Sequence, residues 1–532
     1  MSFHNIFPFI EEIISPKQLS KAQKIVLYYC WQDLSYLEIS KITDYEFGYV
    51  KELGAKIWQI LSQGTGEKIT KKNFRTIITF YAKKKNYLAS ENLREYWTKK
   101  LETKSLYGRK KELNILNQWV FTEQSRLIAI CGMVGIGKSI LTTKLVQGIK
   151  GEFDYFYWQS LQEPLELEDF LDHLIVFLGH DKTNNLKTIK DKALIFQKYL
   201  IDKKCLIVLD GFESLFELQK SNGIYQKKYA EYKEFLLNIG QTAHQSCVIV
   251  TSREIPNEVC FMKGGNSSVR LLILEGLDQK ASLKLLHLKG LKELGINKLN
   301  LIKEYYLANP LFLKITTSSI CTLYAGNLNM FSGKNMRSCS TINGLMKSTI
   351  SRLSDLEQKL LYLVAINIHP ITLTELYIQL YPNYSEIIIN EAIYSLRMRL
   401  LMDLNQEQYT EKDLIMDYII DNFIDNIFND IKNKTFKFLD EFALVNIHSN
   451  EDIQKIQQSK IVEPLIARIN EYFPKKIIFK EHCQEILQKL IYNDQINGYA
   501  AENLINLCFY LSLEIKEFNF DNLAIRQAKE NG

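Results

Sequence analysis

Residues 128–145 read IAICGMVGIGKSILTTKL. An apolar strand-like run ends in a glycine-rich turn, Gly132 to Ser139, that fits G-x-x-x-x-G-K-[ST], and a helical pattern follows. In that context a glycine loop turns its backbone N–H groups inward around phosphate oxygens, and the helix adds its positive N-terminal end. Lys138 is then expected to reach the β- and γ-phosphates and the Ser139 hydroxyl to ligate Mg2+. The nucleotide-binding set read from this stretch is Gly132, Gly135, Gly137, Lys138, Ser139 and Ile140. The loop alone does not say whether the nucleotide is fuel or the latch of a switch.

From residue 107 to about 260, apolar runs alternate with amphipathic helical stretches, which predicts a parallel sheet covered on both faces. The expected strands are RLIAIC, DYFYW, CLIVLD and CVIVTS. CLIVLD ends in Asp210, the expected second Mg2+-organising acid. Gly211 follows, where vigorous ATPases often place another carboxylate. Glu213 is the nearest candidate base, and a helix-start glutamate is the simpler reading of it. CVIVTSRE ends in Thr251, Ser252 and Arg253, and an arginine at that sheet edge is placed to pair with a γ-phosphate; the alternative is a surface arginine at a strand end.

With 532 residues the chain is too long for one core. Hydrophobic content of 46%, charged content of 24% and a net charge of +5 are those of an ordinary soluble protein, and they point to neither nucleic acid nor membrane unless basic residues cluster. No apolar run is long enough to span a bilayer. The start, MSFHNIFPFIEEIIS, reads as mature protein rather than a leader. Nine scattered cysteines without a CxxC pair suggest a reducing compartment, and eight histidines without a cluster argue against zinc. Richness in Lys, Ile, Asn, Tyr and Phe suggests an AT-rich genome, hence an organelle or a low-GC bacterium.

Before the sheet, LSKAQKIVLYYCW, SYLEISKI and YVKELGAKIWQIL read as three helices, the last two joined by the turn-like TDYEFG. This is a helix-turn-helix pattern. It either places its second helix in a DNA major groove or serves as a protein-docking bundle. Glu46, Tyr49, Lys51, Glu52 and Lys56 give that helix a mixed-charge face, while Lys68, Lys71, Lys72, Arg75 and Lys83-Lys84-Lys85 are candidate phosphate contacts. The expected fold is thus multidomain, α/β plus α. A helix-turn-helix-like domain covers 1–82, a polar, helical linker 83–105, and the P-loop NTPase domain 106–270. A helical subdomain covers 271–345, a winged helix with the hairpin-like LLMDLNQEQYTEKD 346–422, and a helical C-terminal region 423–532.

The motif order YGRKKEL, phosphate loop, LIVLD, VTSR, ANPLFL resembles the NB-ARC group of STAND ATPases. FDYFYWQSL, AHQSCVIVTSRE, RLSDLEQKLLYLVAINIHPITLTEL, SLRMRLL and GYAAENLINLCFYL resemble cyanobacterial members that carry WD repeats. The resemblance implies bound ATP or ADP with Mg2+. It assigns Arg109 to the adenosine side, Arg253 to γ-phosphate sensing and Pro310 to packing against adenine; Ala308 stands where the family has glycine. In YTEKDLIMDY, Lys412 stands where a family histidine would hold the β-phosphate of ADP, with Asp413 behind it. The relatives' WD repeats would begin near Gly532, so the sensor module is expected to be absent, shed or supplied by another polypeptide as partner.

The leading expectation is a nucleotide-dependent switch with slow hydrolysis that self-associates in its ATP state. A DNA-binding regulator under ATPase control and a fast motor-like ATPase are the alternatives. The family's source suggests a cyanobacterial cytoplasm, or a plastid stroma if the gene is plastid-encoded, without membrane contact.

Overall fold

The computed structural model describes residues 10–518 apart from 12, 15–18, 33, 44, 79–94, 99–100, 103–105, 180–187, 290, 292–295, 328–339, 447–448, 493–497 and 515–517. The Lys83-Lys84-Lys85 run and Cys339 lie outside the described residues.

The N-terminal domain consists of α1 (Lys21–Trp31), α2 (Tyr36–Ile42) and α3 (Phe47–Thr65). Ser20 with Gln23 and Ser35 with Glu38 form capping boxes that start α1 and α2 by satisfying their first orphan N–H groups. Val50, Leu53, Ile57, Trp58 and Leu61 place one face of α3 in a core shared with Val26, Leu27, Cys30 and Ile39. The Trp58 indole donates to the Tyr36 hydroxyl at 2.7 Å.

Six parallel strands build the central sheet in the order β1-β3-β4-β5-β2-β6. They are β1 (Glu95–Trp97), β2 (Leu127–Cys131), β3 (Tyr155–Ser160), β4 (Cys205–Asp210), β5 (Cys247–Ser252) and β6 (Val269–Ile273). Every residue of β2, β4 and β5 is buried. Such continuous apolar runs are what a sheet covered on both faces requires. The connecting helices are α4 (Lys110–Phe121), α5 (Lys138–Ile149), α6 (Leu167–Phe177), α7 (Ile189–Asp202), α8 (Tyr232–Gln241) and α9 (Asn257–Met262).

All four expected strands are present, and two more extend the sheet past the expected borders. The stretch read as a polar linker contributes β1, whose Tyr96 stacks on Tyr157 at 4.5 Å and whose Trp97 stacks on Trp158 at 5.3 Å. Three residues carry no readable period, and aromatic stacking on β3 holds them. At the other edge β6 crosses the border drawn at residue 270.

Helices α10 (Gln279–Leu288), α11 (Ile296–Tyr305), α12 (Pro310–Tyr324) and α13 (Ser340–Ile350) follow. Next come α14 (Asp355–Asn367), β7 (Ile371–Thr372), α15 (Leu373–Leu380), α16 (Glu386–Met398) and the hairpin of β8 (Asp403–Asn405) and β9 (Gln408–Thr410). The three strands pair antiparallel in the order β7-β9-β8. Gln406 and Glu407, both at positive φ, make the two-residue turn that matches the strand twist.

Helix α17 (Asp413–Asn433) runs straight through the border drawn at residue 423. Its stripe Ile415, Ile419, Ile420, Phe423, Ile424, Ile427 and Ile431 belongs to one apolar core that reaches from Ile350 to Phe518. The last helices are α18 (Lys437–Glu441), α19 (Glu451–Gln457), α20 (Glu463–Tyr472), α21 (Lys476–Tyr492) and α22 (Ala500–Tyr510).

Glu411, between β9 and α17, is buried, and neither carboxylate oxygen has a hydrogen-bond partner. Burial pushes its carboxyl well above the usual range. A carboxyl raised in the folded state adds stability that is complete below its unfolded value, about 4.3, and is lost as pH rises through the folded value. Glu411→Met should therefore melt above the wild type by an amount that grows from about pH 5 to about pH 8, and should stabilise by about 1–3 kcal/mol at the upper end. Thermal denaturation across that range measures it, and a difference independent of pH would contradict the assignment.

Candidate nucleotide site

At the C-terminal edge of the sheet the glycine loop joins β2 to α5. Gly135 (φ 77°) and Gly137 (φ 103°) take left-handed conformations that side chains resist, and a Cβ at Gly135 would lie 2.6 Å from Leu311. Gly137 caps α5, whose first N–H groups have no intrahelical acceptor. Lys138 folds back over its own loop and donates from Nζ to the carbonyls of Gly132 (2.7 Å) and Met133 (3.1 Å). Burial holds its ammonium below the ordinary lysine range, against the opposing pull of Glu213.

Asp210 Oδ1 accepts from Ser139 Oγ at 2.6 Å and from Thr251 Oγ1 at 2.5 Å. Thr251 Oγ1 in turn accepts from the Gly211 N–H at 3.1 Å. The hydroxyl of the loop and the carboxylate of β4 thus converge as hard oxygen donors, a set that suits Mg2+ sharing its remaining positions with phosphate and water. Among the described residues no cluster of three or more His, Cys, Asp or Glu forms a metal cage of its own. Thr251 was quoted in the sequence but given no role; a threonine at the end of a wholly apolar buried strand was the available signal.

A cavity of about 450 Å³ lies over the loop. Gly135, Gly137, Lys138, Ser139, Ile140, Asp210, Glu213, Arg253 and Pro310 line it, so the structure brings together most of the residues singled out in the sequence. Gly132 sits below, its carbonyl held by Lys138. Glu213 and Arg253 face each other, with Arg253 Nε 3.0 Å from Glu213 Oε1 and the Arg253 N–H donating to Oε2 at 3.2 Å.

Arg109 also lines the cavity, but its buried guanidinium is turned into the protein. It donates to the carbonyls of Ile136 (3.1 Å) and Glu275 (2.7 Å) and to Glu112 (2.7 Å). Its contacts make it a strut under the glycine loop. Lys412 does not line the cavity. It stands at the start of α17 outside it, next to the buried Glu411, which does not line the cavity either.

Pro310 opens α12, and its neighbour Asn309 does more than the sequence suggested. Fully buried, Asn309 accepts from the Leu311 N–H at 3.0 Å and donates from Nδ2 to the Val134 carbonyl at 2.9 Å, tying α12 to the glycine loop. Ala308 adopts φ 49°, a left-handed geometry that favours the family's glycine. Lys314, one turn into α12, also lines the cavity, and burial with Lys289 nearby holds its ammonium low.

The parallel sheet, glycine loop and convergent Ser139–Asp210 pair define a P-loop nucleotide-binding protein. Residues 109–293 match the NB-ARC domain model, and residues 1–81 match the model described as vWA-MoxR associated protein N-terminal HTH. The chain carries an NB-ARC domain behind a helix-turn-helix domain, as its motifs led one to expect.

It is 27% identical to an uncharacterized WD repeat-containing protein of Nostoc sp., over 91% of this chain and 42% of that one. It is also 27% identical to a disease resistance-like protein, DSC1, of Arabidopsis thaliana, over 40% of this chain and 17% of that one. The chain thus spans less than half the length of the curated relatives it matches. Among solved structures, a Walker-type ATPase of Pyrococcus abyssi overlaps 62% of this chain and 99% of its own at 14% identity (TM-score 0.44). A STAND protein with a tetratricopeptide repeat sensor from Pyrococcus horikoshii overlaps 78% and 59% at 19% identity (TM-score 0.31). Overlaps this loose leave the functional reading to rest on the site.

Replacing Asn309 by Ala removes a helix cap and leaves the buried Val134 carbonyl unpaired, which should cost about 1–3 kcal/mol in chemical denaturation. Because the same side chain holds the loop against α12, nucleotide affinity in equilibrium titration should fall as well. Unchanged affinity would mean that α12 does not support the loop.

Proposed function

We propose that the chain is an adenine-nucleotide-dependent switch of the STAND kind, in which exchange of ADP for ATP controls conformation and self-association. The observation that carries this is the Glu213–Arg253 pair. Asp210 and Glu213 are the only carboxylates among the described residues lining the cavity. Asp210 is committed to Ser139 and Thr251, and Glu213 is neutralised by the arginine placed to sense a γ-phosphate. With Gly211 next to Asp210, no carboxylate is free to activate water while Arg253 holds Glu213. A site whose nearest base is engaged until Arg253 lets go favours slow turnover.

In this reading the glycine loop and Lys138 hold the phosphates, and Ser139 and Asp210 hold Mg2+, which neutralises phosphate charge when bound. Pro310 packs against the base, and Arg253 exchanges Glu213 for the γ-phosphate. The unit from residue 346 to 422, three helices with a three-stranded antiparallel sheet, is assigned as a winged helix that closes on the NTPase domain. Self-association in the ATP state completes the reading.

Heat release of co-purifying nucleotide should yield ADP or ATP, and Lys138→Ala should abolish both the bound nucleotide and its thermal stabilisation. Turnover should stay below roughly one per minute, far under ordinary enzyme rates. Fast steady-state hydrolysis would instead favour the motor-like alternative. Arg253→Ala should leave ADP affinity within about twofold while weakening ATP by about tenfold, as expected for a charge-assisted contact made only to the γ-phosphate.

The helix-turn-helix match favours a second reading, duplex DNA binding. Lys71, however, donates to the Leu34 carbonyl at 2.7 Å and lies 4.3 Å over the Tyr36 ring, and Arg75 lies 5.4 Å over Trp31. On α3, Lys56 pairs with Glu52 at 2.7 Å, and Phe47 and Tyr49 stand exposed. A face of this kind suits protein docking better than phosphate. A filter-binding titration should show no specific duplex binding near 150 mM salt; binding that falls steeply with salt, and is lost when Lys71, Lys72 and Arg75 are neutralised, would reverse the assignment.

A further inference from the structure

Behind the nucleotide cavity lies a second void of about 20 Å³, lined by Glu254, Arg352 and Arg399, and Val134 and Arg253 line both spaces. Around the second void the NTPase domain meets α14 and α16 through a buried ionic network. Glu254 Oε1 accepts from Arg352 Nε at 3.0 Å, with Arg352 Nη2 at 2.8 Å and Arg399 Nη1 at 3.4 Å. The Arg399 Nε stands 3.2 Å from Glu357 Oε1, and Ser395 Oγ also donates to that oxygen. Arg399 Nη2 reaches the Lys220 carbonyl at 2.6 Å, and the Ile255 N–H donates to the Met398 carbonyl at 2.9 Å.

Arg352 holds a special place in this network. Besides Glu254 it donates from Nη2 to the Glu213 carbonyl at 2.9 Å, so it touches both Glu213 itself and Glu254, the chain neighbour of Arg253. We propose that the Glu254–Arg352–Arg399–Glu357 network is the latch between the NTPase domain and the 346–422 unit, and that Arg253 couples it to the γ-phosphate. This rests on the switch reading above and names its working parts.

Glu254 is 3% exposed as a residue, and the Arg399 side chain is 3% exposed. Withdrawing either arginine alone strands a buried charge, so the network is held or released as a unit, which is the behaviour of a two-state contact. It is also poised. Glu254 takes its guanidinium contacts on Oε1 alone, and Oε2 is buried without a hydrogen-bond partner. When Arg253 turns to a γ-phosphate its Nε gives up Glu213, which keeps only the hydrogen bond from the Arg253 N–H. The Glu213 segment then shifts against Arg352, and Glu254, adjacent to Arg253 in the chain, moves with it. ADP has no γ-phosphate to draw Arg253 away, so it leaves the latch closed.

The test uses the full chain and compares ADP and ATP affinities by displacement of a fluorescent nucleotide. Glu254→Gln and Arg352→Gln should each shift the ADP/ATP affinity ratio towards ATP by about tenfold, the ordinary range for coupled sites, with far-UV circular dichroism unchanged. Adding Arg253→Ala should shrink that shift to under about threefold, because the carrier of the coupling is gone. A purely structural role predicts parallel loss of both affinities, and that result, or a ratio unchanged within twofold, overturns the latch. If Arg352→Gln does not fold, the isosteric Glu254→Gln decides the question. A wild type that binds neither nucleotide overturns the switch reading and the latch with it, whereas normal binding with an unchanged ratio overturns the latch alone.

Discussion

Much of this molecule depends on a single carboxylate. Asp210 closes β4 and accepts hydrogen bonds from Ser139 on the glycine loop and Thr251 on β5. One buried acid therefore ties three consecutive parts of the sheet edge to a common point. Its two donors are neutral hydroxyls, so its charge is oriented but not cancelled, and the site retains an anionic position where Mg2+ binding is expected. The strands behind it are buried throughout and apolar up to their last residues, which leaves polar chemistry where the chain emerges from the sheet.

The next constraint is the engagement of most charged groups around that point. Lys138 is held by its own loop, Arg109 by backbone carbonyls, Glu213 by Arg253, and Glu254 by two arginines from the following unit. None of these charges stands bare, as burial demands. In the proposed switch a nucleotide entering the cavity takes over contacts that Lys138 and Arg253 now make within the protein. This linked exchange of partners is what sets the proposed switch apart from a simple hydrolytic site.

The ends of the chain obey different physics. In the N-terminal domain basic side chains fold down onto tyrosine and tryptophan rings and leave aromatic residues facing outward, so its net charge says little about its surface. In the C-terminal half one continuous apolar stripe on α17 merges what looked like two domains into a single core.

The local pattern of residues was enough for the elements whose physics is local. Continuous apolar runs announced four of the six strands, and the glycine spacing announced the phosphate loop. It also named the main cavity residues, from Gly135 to Pro310, because each lies at a strand or helix end that can be counted along the chain. The tertiary structure decided whatever depends on partners far apart in sequence. The linker stretch becomes β1 only by stacking on β3, Arg109 is a strut because the distant carbonyls of Ile136, Glu275 and Gly276 surround it, and Asn309 gains its role from Val134. Lys412 stays outside the cavity, at the start of α17. The network of Glu254, Arg352 and Arg399 was invisible beforehand for the same reason, since a charge reveals its partner only once folding has removed the water between them.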